Sequence, residues 1–119
     1  MLSSNVIEGS NILEVTYDGA LGAGEMAALR ERLATLIRER GSARLVVEYG
    51  EVDLGRVEPR AMWEDLKVAG LLQDVTKVAV VADQGWIDTL ASAVGTVLPL
   101  EVRSFHRDQR DEAVAWMYA

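Results

Sequence analysis

Residues 77–82, KVAVVA, form the most continuous apolar run in the chain and decide the predicted fold. A short apolar run rich in valine is typical of a strand that is buried on both faces. We therefore predict that this run is a central strand of a sheet. The shorter β-branched run at 45–47, LVV, predicts a second inner strand upstream.

Segments with helical periodicity separate these runs. Residues 24–40 predict the first helix, and Gly41 is placed to end it. Its apolar stripe consists of Met26, Leu29, Leu33, Leu36 and Ile37. Three further helices are predicted at 59–70, between Gly85 and Pro99, and after Asp108, which is placed to cap the last one.

The remaining strands lie at the two ends of the chain. The alternation of apolar and polar residues over 12–17 predicts a half-buried strand, paired with 6–8 through a turn at 9–11. A last strand is predicted at 100–105. The order is ββαβαβαβα in one domain over 1–119, and the long helical connections imply a partly parallel sheet.

Composition excludes several classes of function. The chain has 119 residues and a net charge of −7, which disfavours binding to nucleic acid or to an anionic membrane surface. It has no cysteine, so disulfides, thiol catalysis and thiolate metal sites are excluded. No stretch approaches the roughly 20 apolar residues that span a bilayer. We expect a cytoplasmic protein without a cofactor.

Two features could indicate a nucleotide-binding, metal-binding or catalytic site but have simpler interpretations. The glycine-rich segment 19–24 follows a strand, and Glu48 lies where a ribose-binding acid would be. The spacing G-x-x-G-x-G is the reverse of the dinucleotide fingerprint, so a flexible turn is favoured. His106, the only histidine, has no visible metal-ligand or catalytic partner, and we expect it at the surface before the last helix.

The three tryptophans are candidates for a binding face. Trp86 comes shortly after Asp83, at the end of the central strand, where ligands collect in open α/β sheets. Trp63 lies on the predicted second helix, and Trp116 on the last helix is expected to be a partly buried anchor. Core packing is nevertheless the favoured interpretation for each tryptophan, because an indole offers a large area to bury.

One series of residues carries a family resemblance. The run 77–81 is followed by Asp83 and Trp86, by EVRSF at 101–105 and by EAVAW at 112–116. This series resembles the SpoIIAA-like family, small bacterial STAS-type domains named after an anti-sigma-factor antagonist. The resemblance implies a STAS-like, mixed five-stranded sheet with about four helices, packed mainly on one side, and a homodimer. The fold is also similar to the CRAL-TRIO (SEC14) lipid-transfer type, which implies an apolar ligand.

The chain departs from the antagonists at one position. They carry a phosphorylatable serine motif at the start of the helix that follows the strand equivalent to 45–49. Here residues 51–60 read EVDLGRVEPR, without serine or threonine, so that phosphorylation switch is not expected. That Asp53 or Glu58 mimics a permanently modified state is a further hypothesis.

These observations lead to three hypotheses. The first is a non-enzymatic protein-interaction domain, homodimeric, whose acidic loop 50–60 and adjoining helix attract a basic partner. The alternative is a carrier of an apolar small molecule. An enzyme that uses His106 and acidic residues ranks last. The candidate interaction or ligand face consists of Asp53, Glu58, Arg60, Trp63, Asp83 and Trp86.

Overall fold

A five-stranded sheet organises the computed structural model, which describes residues 2–17, 23–49, 66, 69–82 and 101–118. The strands follow one another across the sheet in chain order. They are β1 (Leu2–Val6), β2 (Ile12–Tyr17), β3 (Ala43–Tyr49), β4 (Val75–Val81) and β5 (Glu101–Phe105). Two α-helices, α1 (Ala23–Arg40) and α2 (Arg110–Met117), and two 3₁₀ helices, Leu71–Asp74 and Arg107–Gln109, accompany them in the described part of the chain.

The sheet is mixed, as predicted. β1 pairs with β2 in antiparallel register, whereas β2, β3, β4 and β5 pair in parallel. The KVAVVA run lies in β4 and is an inner strand between β3 and β5. The middle strand of the five is β3, which contains the LVV run.

The N-terminal hairpin is confirmed, but its first strand occupies Leu2–Val6 rather than 6–8. The Ser10 hydroxyl donates a hydrogen bond to the Ile7 carbonyl at 2.7 Å and accepts one from the Ile12 N–H at 3.1 Å. Gly9 has a φ of 77°, which favours glycine. The strand start was missed because β1 is a polar, partly exposed edge strand without a periodic apolar signal.

Helix α1 covers one face of the sheet, and its predicted apolar stripe is confirmed. The buried residues shared between this helix and the strands are Leu13, Val15, Leu29, Leu33, Leu36, Leu45, Val47, Val78 and Val80. The helix ends where Gly41 adopts a φ of 84° and donates its N–H to the Ile37 carbonyl at 2.7 Å. The predicted glycine terminator is therefore confirmed.

Helix α2 covers the opposite face. Ala113 and Met117 are fully buried against the second apolar cluster, which contains Ile12, Val46, Ala79, Val81 and Phe105. The two described α-helices thus lie on opposite faces, because inner parallel strands are apolar on both faces and need cover on both. The expectation of helices mainly on one side stays a prediction, since the two middle helices fall outside the described residues.

The two middle helices of the prediction fall outside the described residues, apart from three positions. Leu66 is helical and 1% exposed, and Gly70, the predicted stop, has a φ of 75° in a turn. The predicted cap at Asp108 is wrong, because Asp108 lies within the 3₁₀ turn. The turn is closed instead by His106 and Gln109, since Gln109 Oε1 accepts from the His106 N–H at 3.0 Å.

The glycine that ends α1 gives a test of the local backbone. We expect Gly41→Ala to lower the free energy of unfolding by about 1 kcal/mol, because an L-residue is strained at positive φ. Gly24→Ala, within the first turn of the same helix and with no described atom within 4 Å of the added Cβ, should instead stabilise by a few tenths of a kcal/mol. Urea unfolding of both variants measures the difference, and equal stabilities would contradict it.

Candidate functional site

The predicted candidate face lies outside the described residues. It comprises Asp53, Glu58, Arg60, Trp63, Asp83 and Trp86. The residues that precede its two segments are described: Tyr49 ends β3, and Ala82 directly follows β4. β3 and β4 are neighbouring parallel strands, so both segments begin at the carboxyl edge of the sheet. Ligand-binding loops of open α/β sheets gather at that edge.

A pair of buried tyrosines lies at this carboxyl edge. Tyr17 ends β2 and Tyr49 ends β3, and the two residues are direct partners across the parallel strands. Their ring centroids are 5.6 Å apart with an interplanar angle of 56°, a tilted arrangement that aromatic pairs favour. Both rings belong to the cluster beneath α1 and are 2% exposed. Among the described residues, this pair is therefore buried directly at the carboxyl edge of the sheet.

The Tyr17 hydroxyl is buried and has no hydrogen-bond partner among the described residues. Burial raises the pKa of this phenol above its ordinary value, and the negative charge of Glu25 raises it further. The group therefore stays protonated at neutral pH and remains able to donate. An unsatisfied buried hydroxyl costs about 1–3 kcal/mol. The sequence pattern did not predict this buried hydroxyl, because Tyr17 occupies an ordinary inward-facing position in a strand that alternates apolar and polar residues.

An ion-pair cluster holds the start of α2 on the sheet. Arg110 Nε lies 3.1 Å from Glu48 Oε2, and Arg110 Nη2 contacts Glu14 Oε2. Glu14 and Glu48 lie on the adjacent strands β2 and β3, and the guanidinium between them offsets their mutual repulsion. Glu48, considered above as a ribose-binding acid, is instead held beneath α2. It therefore has a structural role there.

Two cations contact the other end of α2. Arg44 donates to the Met117 carbonyl, and Lys77 Nζ donates to the Trp116 carbonyl at 3.2 Å. Positive charges suit the carbonyl end of a helix, as carboxylates suit its beginning. Lys77 Nζ also lies 4.9 Å from the centre of the Trp116 ring, which packs on Phe105. Trp116 is partly buried, which confirms the predicted anchor.

His106 shows no catalytic surroundings in the described part of the chain. It follows β5 directly, is exposed, and joins the turn before α2 through its backbone. The expected surface position before the last helix is confirmed. Over residues 2–17, 23–49, 66, 69–82 and 101–118, no group of three or more histidine or carboxylate side chains is arranged to hold a metal ion.

Comparisons with known proteins identify one family. The sequence model of a family described as SpoIIAA-like matches residues 12–118. The match includes β2 to β5, both described α-helices and the buried tyrosine pair. No curated protein matches the chain. Among the described helices, none is both long enough and apolar enough to cross a membrane.

The Arg110 cluster gives a stability test. We expect Arg110→Met to lower the free energy of unfolding by about 1 kcal/mol, because Glu14 and Glu48 are left side by side. The figure is modest because the Arg110 side chain is 41% exposed. Urea unfolding measures it, and Arg38→Met, a change at an exposed arginine of α1, is the control. A loss no larger than that of Arg38→Met would contradict the bridging role.

The Tyr17 phenol gives a pH test. The pKa of this phenol is raised in the folded protein, so its ionisation costs more there than in the unfolded chain. The free energy of unfolding is therefore not reduced below the unfolded pKa of about 10, and it falls as pH rises from there through the folded value. Tyr17→Phe should stabilise by about 1 kcal/mol at pH 7 by removing a buried hydroxyl that no described residue pairs. It should also flatten the fall in stability above a pH of about 10.

Denaturant unfolding between about pH 7 and about pH 11 measures both effects. Tyr118→Phe, at a tyrosine that is 60% exposed, is the matched control and should keep the wild-type pH profile. If the Tyr17→Phe and Tyr118→Phe profiles coincide, the role assigned to the buried phenol is wrong.

Proposed function

The chain belongs to the SpoIIAA-like family, and from that premise we propose that it is a STAS-type regulatory domain that binds another protein and catalyses no reaction. The observation that carries the proposal is the acidic segment that begins directly after Tyr49, at the carboxyl edge of β3. Loops at this edge carry function in open α/β sheets because the strands beneath hold them in place.

Charge defines the partner that this segment would recruit. Residues 50–60 contain three carboxylates, Glu51, Asp53 and Glu58, against two arginines, Arg56 and Arg60, in a chain whose net charge is already −7. An acidic segment on an acidic protein steers a basic surface toward it and repels acidic ones. The proposed partner is therefore a protein with a basic recognition patch.

The missing hydroxyl defines how the contact is regulated. Residues 51–60 contain neither serine nor threonine, so the phosphorylation switch of the antagonists has no acceptor in this segment. Partner binding is then constitutive, with Asp53 or Glu58 supplying a permanent charge. We place this activity in the cytoplasm, since a chain without cysteine suits a reducing compartment.

A second candidate function is a carrier of an apolar molecule that bears one polar acceptor. The observation in its favour is the Tyr17 phenol, a buried donor at the same carboxyl edge that no described residue pairs. Trp63 and Trp86 would supply the apolar contacts under this hypothesis. Native mass spectrometry and solvent extraction of the purified protein test it, and protein that carries no small molecule would exclude it.

The leading proposal is tested by neutralising the acidic segment. The double variant Asp53→Asn/Glu58→Gln should weaken binding to a captured basic partner at least about fivefold, with a smaller effect at high salt because exposed charges are then screened. Pull-down followed by titration calorimetry measures the change.

The control is Glu8→Gln/Asp74→Asn, which makes the same change in net charge at two exposed positions outside the segment. It should bind like the wild type. Unchanged affinity in the Asp53/Glu58 variant, or equal losses in the two double variants, would rule out the acidic segment as the recognition face.

A further inference from the structure

Strand β1 lies at one end of the described sheet, so one of its sides has no neighbouring strand among the described residues. The Ile7 N–H donates to the Ile12 carbonyl at 2.9 Å, which places these residues in a hydrogen-bonded pair of the antiparallel ladder. Because such pairs alternate with non-hydrogen-bonded ones, the backbone N–H and C=O groups of Ser4 and Val6 point away from β2. These outward-facing groups, here called the β1 edge, can pair with another extended chain.

The sequence of β1 contains nothing that discourages such pairing. It reads LSSNV, without a charged residue or a proline, and Val6 at its end is 38% exposed. By contrast, β5, at the opposite end of the described sheet, contains the exposed charged residues Glu101 and Arg103. Charged side chains and proline are the usual means by which natural edge strands avoid pairing. Any protection of the β1 edge therefore has to come from outside the strand.

Arg32 of helix α1 contacts the β1 edge directly. It lies 28 residues from Ser4 along the chain, and its Nη1 donates to the Ser4 carbonyl. The same nitrogen lies 3.3 Å from the Ser4 hydroxyl oxygen. The Ser4 carbonyl is one of the outward-facing acceptors, so a strand added beside β1 would have to bond to the same oxygen. The guanidinium therefore occupies both the acceptor and the space that such a strand needs.

The hydrophobic core fixes where Arg32 stands. Leu29, Leu33 and Leu36 of the same helix are buried against the sheet, which sets the rotation of α1 and the place of Arg32 beside β1. A groove of about 640 Å³ runs between α1 and β1, and Arg32 lines it together with Val6 and Leu36. The guanidinium thus reaches Ser4 from a helix that is held rigidly by its buried face.

We infer that Arg32 prevents strand addition at the β1 edge by occupying the Ser4 carbonyl. Removal of the guanidinium frees this acceptor, and the edge can then pair with the same edge of a second copy in an extended, antiparallel contact. The inference does not rest on the proposed function, because the acidic segment begins at the carboxyl edge of β3 and not at β1.

Arg32→Met tests the inference, since methionine keeps much of the apolar stem and removes the guanidinium. We expect this variant to form larger species at protein concentrations about tenfold below those that the wild type requires. That factor corresponds to one charge-assisted hydrogen bond that an incoming strand no longer has to break. Sedimentation equilibrium over a range of protein concentrations measures the difference.

The direction of the change separates this role from a general effect of charge. Arg32→Met takes the net charge from −7 to −8, and a more acidic protein should associate less, because its copies repel one another more strongly. Arg38→Met, the matched control, makes the same change in charge at an exposed arginine of α1 outside the groove lining. It should associate no more than the wild type. Equal association of the two variants would overturn the inference.

A second variant shows whether the new contact involves β1. In Arg32→Met/Ser4→Pro the outward-facing N–H of Ser4 is removed, and proline is tolerated on an edge strand whose N–H faces solvent. The double variant should return to the association of the wild type. If it associates as strongly as Arg32→Met, the contact lies elsewhere and the inference is wrong. Circular dichroism verifies that each variant keeps its fold.

Hydrogen exchange of the Ser4 and Val6 amides gives a test that does not depend on any variant's folding. Both N–H groups should exchange rapidly in the wild type at all protein concentrations, because nothing pairs with them. In Arg32→Met their exchange should slow as the protein concentration rises. Protection of these amides in the wild type would also overturn the inference, since the edge would then be paired despite Arg32.

Discussion

Strands β3 and β4 are buried on both faces, and this burial determines where the two described α-helices pack. Val46 and Val47 are adjacent in β3 and point to opposite faces, yet they are 2% and 0% exposed. Val80 and Val81 repeat this arrangement in β4. A parallel strand of this kind is stable only when each face is covered. Placing α1 on one side and α2 on the other answers that requirement.

The two helices that cover the sheet are unequal in size, and charged contacts orient the smaller one. Helix α1 has 18 residues, whereas α2 has eight and buries only Ala113 and Met117 completely. Charged contacts fix the position of α2 on the sheet. Glu14 and Glu48 bind its first residue, and two cations bind its last carbonyls. Such contacts contribute little net stability when partly exposed, but they select one direction of the helix over the reverse.

The carboxyl edge of the parallel strands and the edge strand β1 differ in the groups that they present. The carboxyl edge combines the buried Tyr17–Tyr49 pair with the start of segment 50–60, which carries three carboxylates and two arginines. The β1 edge adjoins a groove along α1 whose lining carries charges of both signs.

Periodicity and turn chemistry are local signals, so they were sufficient to predict the strands β2 to β5, helix α1 and its Gly41 terminator. The family was predicted from a resemblance in the second half of the chain, and the family model confirms it. The face with Asp53 and Trp86 stays a prediction from sequence. Tertiary contacts place α2 on the second face, leave the Tyr17 hydroxyl without a partner among the described residues and join Arg110 to two carboxylates. Those carboxylates lie 96 and 62 residues away along the chain, and contacts so distant leave no periodic trace in the sequence.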